Sequence, residues 1–209
     1  MLYYAELFDH GYKVGGEAGE YFLKAVIPYL KKEGYESYFF STQYGLGSRE
    51  FWLVTAVEEV THFDLWDKLS RKPEGQEILW GIEKLTTNKC IYVMKDLDLK
   101  VKWIREPGKM YHMENFNSIV THGRLEEFFL NRALPYLRGR GFGLKLFKNQ
   151  YGLGVGEFWF VTEMDSFSSI DNWSNMIAGE PEGAAVMEEL LSIIDIPKAS
   201  IIKECLTAD

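Results

Sequence analysis

Glu6 and Glu114 stand 108 residues apart at matching places in two aromatic, apolar segments. A carboxylate in such a segment either faces water at an edge or is buried beside partners that offset its desolvation. Glu50 and Glu157 repeat the theme at a spacing of 107 residues. Arg132 replaces Ala25 on an otherwise apolar helical stripe, and Arg49 stands where a later copy has Gly156. Arg132 would counter a carboxylate or an anionic ligand, or else pack its stem and carry its head to water. His10, His62, His112 and His122 lack H-x-x-x-H spacing and do not match each other, so no metal site is implied and they read as surface or hydrogen-bonded side chains. Gly152-Leu153-Gly154-Val155-Gly156 has glycines but neither the G-x-G-x-x-G spacing nor a following helix, so it reads as a hairpin turn. No nucleophile sits with a recognisable base, and no catalytic residue is assigned.

These residues sit in a duplicated chain. Tyr44-Gly45-Leu46-Gly47 returns as Tyr151-Gly152-Leu153-Gly154, each followed by Glu-Phe-Trp at 50–52 and 157–159. Sliding the chain by 107 residues matches about 21 of 56 positions between 16–71 and 123–178. The expected organisation is a first repeat over 1–95, a charged linker over 96–109 and a second repeat over 110–209.

Each repeat reads βαββαβ. In the first, strands are expected over 2–8, 35–44, 50–57 and 90–95, and helices over 18–33, 61–70 and 73–85. The second repeat has strands over 110–116, 142–151, 157–164 and 199–206, with helices over 125–138, 168–177 and 181–194. Pro28 and Pro135 fall inside the first helix of each copy, which predicts a kink over a curved sheet, or two short helices abutting there. Pro73 and Pro181 open a later helix, where proline is tolerated. Alternation puts Tyr38, Phe40, Thr42 and Tyr44 on one face of a strand and Phe39, Ser41 and Gln43 on the other. Aromatics on both faces predict burial on both faces. Helices cover one, so the second copy must cover the other.

The order, the Phe-x-x-Trp at 63–66 (Ile-x-x-Trp at 170–173) and the Pro-Glu-Gly that follows resemble the dimeric α/β-barrel superfamily. That superfamily includes antibiotic-biosynthesis-type monooxygenases, NIPSNAP-like proteins, stress-responsive barrel proteins and tandem chlorite-dismutase-type haem proteins. The resemblance implies an α+β fold: two fused ferredoxin-like units, their antiparallel four-stranded sheets packed face to face as an intramolecular α/β barrel. It marks Trp66 and Trp173, which in monooxygenase-type members act with a first-strand asparagine and a histidine on an aromatic substrate without a prosthetic group. Asn115 and His112 would be those partners, but their odd spacing puts them on opposite faces of a strand. Tandem members bind haem through a histidine of the second unit, for which His112 and His122 would be the candidates. Neither sits in a haem motif, and no cofactor is called for.

The functional expectation is a small-molecule-binding barrel, with or without cofactor-independent monooxygenase-like activity on an apolar or aromatic compound. The alternative is a non-catalytic barrel for self-association or stress response. Binding would use a cleft between helices and sheet, lined by Tyr3, Tyr38, Phe40, Tyr44, Trp52, Tyr111, Phe147, Tyr151 and Trp159 with a polar group at its end. The net charge of −8 argues against nucleic acid, and no run approaches a membrane span. The N-terminus does not read as a signal peptide, and Cys90 and Cys205 read as reduced thiols, so a cytoplasmic protein is expected.

Overall fold

The computed structural model describes residues 1–10, 15–45, 49–58, 65–98, 108–152, 156–195 and 197–205. The turns at 46–48 and 153–155, most of the expected linker (99–107), His62 and the side chains of His122 and Trp173 lie outside the described residues. Among the described residues no helix is long and apolar enough to cross a membrane.

The first unit runs β1 (Leu2–Asp9), α1 (Gly15–Tyr21), a π-helical turn (Phe22–Val26), α2 (Ile27–Lys32), β2 (Ser37–Gly45), β3 (Glu50–Val57), α3 (Leu65–Leu69), α4 (Pro73–Leu85) and β4 (Thr87–Asp96). The second runs β5 (Met110–Phe116), α5 (His122–Phe128), a π-helical turn (Phe129–Ala133), α6 (Leu134–Gly139), β6 (Leu144–Gly152), β7 (Phe158–Met164), α7 (Ser168–Gly179), α8 (Pro181–Leu191) and β8 (Lys198–Glu204).

The two internal prolines explain the π turns. Proline lacks an N–H and its ring crowds the carbonyl four residues back. In both copies a wider turn immediately precedes the proline, with Ile27 N–H reaching Phe22 O and Leu134 N–H reaching Phe129 O. The helix therefore continues through Pro28 and Pro135 as a π bulge, not as two separate helices.

The Pro-Glu-Gly motif has a packing role. Gly75 is buried where α4 meets α3, and an added Cβ would lie 2.0 Å from the Leu69 carbonyl oxygen and 2.6 Å from Tyr29 Oη. Gly183 is its counterpart, where an added Cβ would lie 2.5 Å from Tyr136 Oη.

The eight strands close in the order β1-β3-β2-β8-β5-β7-β6-β4. Within each unit the sheet is antiparallel. The units then join edge to edge, β2 with β8 and β4 with β6, so that the two sheets face each other around a shared interior and no edge is left open. Alternation along β1 sends Tyr3, Ala5 and Leu7 into the barrel and Tyr4, Glu6 and Phe8 toward the helices. Three apolar cores result. Phe22 of the π turn packs with Phe39, Phe51 and Leu53 of the sheet in the first unit. Phe129 of the equivalent turn packs with Leu146, Phe158 and Phe160 in the second. Trp52, Met94, Tyr111, Phe147 and Trp159 line the barrel interior. Each fully buried large apolar side chain contributes about 2 kcal/mol, so the doubly buried strands account for much of the driving force.

Candidate functional site

The first unit holds a cleft of about 540 Å³ between its sheet and helix α4, bordered by Tyr4, Glu6, Phe8, Trp66, Ile82 and Asn88 among others. Glu6 is its chemical centre. The residue is 2% exposed, on the helix-facing side of β1. Trp66 Nε1, from α3, donates to Glu6 Oε2 at 2.8 Å, and Asn88 Nδ2 donates to Oε1 at 3.3 Å. Each carboxyl oxygen retains a second lone pair facing away from these donors. Burial pushes the Glu6 carboxyl up, the two hydrogen bonds offset part of that rise, and the net result is about 7. Tyr4, beside it on the same face, is raised by its own burial and by the charge of Glu6.

A β-bulge brings Asn88 into this cleft. Leu7 pairs with Cys90, but the next residue, Phe8, pairs with Asn88, so Lys89 is an extra residue in β4. Were Lys89 paired regularly with Phe8, Asn88 would lie opposite Asp9, on the other face of the sheet.

The second unit keeps the carboxylate and loses the space. Glu114, equivalent to Glu6, is pushed up to about 7 by burial alone. The cavity beside it is about 60 Å³. Where Thr86 borders the first cleft, the equivalent Ile194 is packed, 5% exposed, in the second core. A haem does not fit a space of 60 Å³ in this arrangement. His112 faces that side of β5, half-buried and lowered by its burial.

A separate cavity of about 490 Å³ lies inside the barrel. Tyr3, Tyr38, Phe40, Trp52, Tyr111, Phe147 and Trp159 border it, so these aromatics sit between the two sheets and not, as expected, between helices and sheet. Trp52 and Trp159, equivalent in the two copies, meet edge to face at 5.6 Å, and Tyr92 packs on both. Lys145 and Asp96 form a buried ion pair on its wall, Nζ to Oδ2 2.7 Å.

The remaining expected residues lie elsewhere. Tyr44 and Tyr151 are 70% and 52% exposed, outside both cavities. Bulges at Gln43 and Gln150 reverse the alternation beyond Thr42 and Asn149, so these tyrosines point outward while Phe40 and Phe147 point in. Asn115 faces the barrel and donates from Nδ2 to Glu157 Oε2 at 2.8 Å, while His112 faces the helices, so the two do not meet. Arg132 is exposed and pairs with Glu189 at 2.9 Å. Asn88, Lys145 and Asp96 carry no signal in the repeat pattern. Glu6 does carry one, since it interrupts the aromatic face of β1 in both copies.

No family model matches the chain, and no curated protein matches it. Solved structures do. An anthrone oxidase-like protein is 15% identical, with 98% of this chain and 91% of that one covered and a TM-score of 0.66. A candidate monooxygenase from Lactobacillus acidophilus NCFM is 7% identical over 97% and 93%, with a TM-score of 0.63. A candidate chlorite dismutase is 12% identical over 99% and 95%, with a TM-score of 0.57. Together with the closed barrel, these likenesses establish the fold alone: an α/β barrel built from two ferredoxin-like units in one chain.

Proposed function

We propose that this protein binds a flat apolar or aromatic compound in the helix–sheet cleft of its first unit and oxidises it without a prosthetic group, with Glu6 as the base. One observation carries the reading. A 2%-exposed carboxyl raised to about 7 borders a 540 Å³ cleft, held at one oxygen by Trp66 and at the other by Asn88. A base with a pKa near the working pH combines a useful population of carboxylate with proton affinity. Leu79, Ile82 and Ile91 offer apolar walls for the ring system.

The likeness to an anthrone oxidase-like protein supplies a test compound. Anthrone has an acidic CH₂ between two aromatic rings. The Glu6 carboxylate takes one of its protons, leaving a delocalised carbanion that reacts with dissolved O₂. The hydroperoxide so formed loses water, so that one oxygen atom stays on carbon as the quinone and the other leaves as water. Trp66 and Asn88 hold the carboxylate in place. The test is oxygen uptake and anthraquinone formation above the spontaneous rate, with native protein and Glu6→Gln. The variant is expected to lose about 100-fold or more while still binding anthrone. Equal turnover by the two proteins would refute the assignment.

A further inference from the structure

The barrel interior is untouched by this chemistry. It lies on the opposite face of β1 and β3 from the Glu6 cleft, so Ala5 and Trp52 face one space while Glu6 and Leu53 face the other. We propose that the barrel interior is a second binding site, for a neutral ring compound that carries a hydroxyl or carbonyl oxygen at one end.

Size and lining set the body of the ligand. A cavity of about 490 Å³ falls within the range of small-molecule sites, about 300–1,000 Å³. Phe40, Met113, Phe147 and Val161 provide apolar wall, and the mutual contacts of Trp52, Tyr92 and Trp159 close the far end. Such walls lose dispersion contacts when nothing lies against them, which favours an apolar occupant.

The polar end sets the head group. Lys145 and Asp96 side chains are both 6% exposed, on the cavity wall. Lys145 Nζ donates to Asp96 Oδ2 at 2.7 Å and to the Asp98 carbonyl oxygen at 2.9 Å. An ammonium has three N–H donors, so one is left for a ligand oxygen. Asp96 Oδ1 accepts from Asp98 N at 2.8 Å, and its Oδ2 is held by the lysine. The pair is already charge-balanced. An anionic head would crowd Asp96 and the Glu204 carboxyl, 2% exposed on the same wall with Glu36 also in the lining, and a cationic one would crowd Lys145, all at low dielectric. A neutral oxygen accepts the third N–H without either penalty. Lys145 is specific to the second copy, since the equivalent residue in the first is Tyr38.

The test uses 2-naphthol at neutral pH with the full-length protein, read by tryptophan fluorescence and by the rise in melting temperature. Saturable one-to-one binding is expected, with naphthalene and 2-naphthoate both weaker. Val161→Trp fills the cavity and should weaken 2-naphthol by about tenfold or more; if that variant does not fold, Val54→Phe at the half-buried mouth replaces it. Lys145→Met should reduce the preference for 2-naphthol over naphthalene by about fivefold, the loss of one buried hydrogen bond. Glu6→Gln should leave the affinity unchanged. Absence of saturable binding, or undiminished binding in the filled variant, would overturn the proposal. So would loss of binding in Glu6→Gln alone, which would place the probe in the cleft. The cleft reading is judged by anthrone turnover and fails or stands independently.

Discussion

Trp66 Nε1 donates to Glu6 Oε2 at 2.8 Å, joining helix α3 to the central face of β1. The bond stabilises the charged form of a carboxyl that burial otherwise raises. It ties a helix of the first unit to the buried carboxyl of that cleft.

Removing the indole donor should therefore move the pH dependence. In Trp66→Phe the ring is retained and the hydrogen bond is lost, so the Glu6 carboxyl should rise further. The rising limb of anthrone oxidation against pH should shift upward by about one unit, with little change in anthrone affinity. A fall in rate at every pH with an unmoved midpoint would mean that Trp66 only packs.

The same carboxyl should make the fold less stable as pH rises. Glu6 titrates at 4.5 in the unfolded chain and at about 7 in the folded one. Between these values the folded protein holds a proton that the unfolded chain has released. Stability is thus full below the lower value and is lost as pH climbs to the upper one, by about 3 kcal/mol for this group. Glu114 acts in the same direction. Urea unfolding should show a higher midpoint at about pH 5 than at about pH 8. Glu6→Gln should shrink that difference, and an unchanged difference would contradict the shift.

Gly75 should tolerate no side chain. Gly75→Ala drives a Cβ into the Leu69 carbonyl and Tyr29 Oη, and should cost about 3 kcal/mol by thermal unfolding. Gly123→Ala is the contrasting case. It lies in α5 with nothing within 4 Å of the added carbon, and should stabilise by about 0.5 kcal/mol.

Cutting the chain after Gly108 tests the closure of the barrel. Each half alone would expose its aromatic inner face and two unpaired strand edges. Co-expressed halves should elute together as a one-to-one complex through the β2·β8 and β4·β6 pairings. Soluble, monomeric halves would contradict the shared interior.

Much of this architecture is legible in the residues. The repeat fixes two βαββαβ units, and aromatics on both faces of the hairpin strands require a second sheet. The two internal prolines announce a distortion, though the π turn itself follows from backbone geometry. The sites are less legible, because bulges move side chains between faces. Strict alternation puts Tyr44 beside Phe40, and one extra residue at Gln43 turns it outward. Another at Lys89 turns Asn88 into the cleft. Nothing in a period of two announces either. The Trp66–Glu6 bond joins residues 60 apart, and only the placement of α3 brings them together.

Glu6 is a neutral-range acid in a ligand cleft, and ¹³C NMR of the glutamate carboxyls across pH measures that most directly. One resonance, absent from Glu6→Gln, should titrate at about 7 and change its midpoint when anthrone is added. A Glu6 resonance titrating at its ordinary 4.5, or indifferent to anthrone, would contradict the central claim.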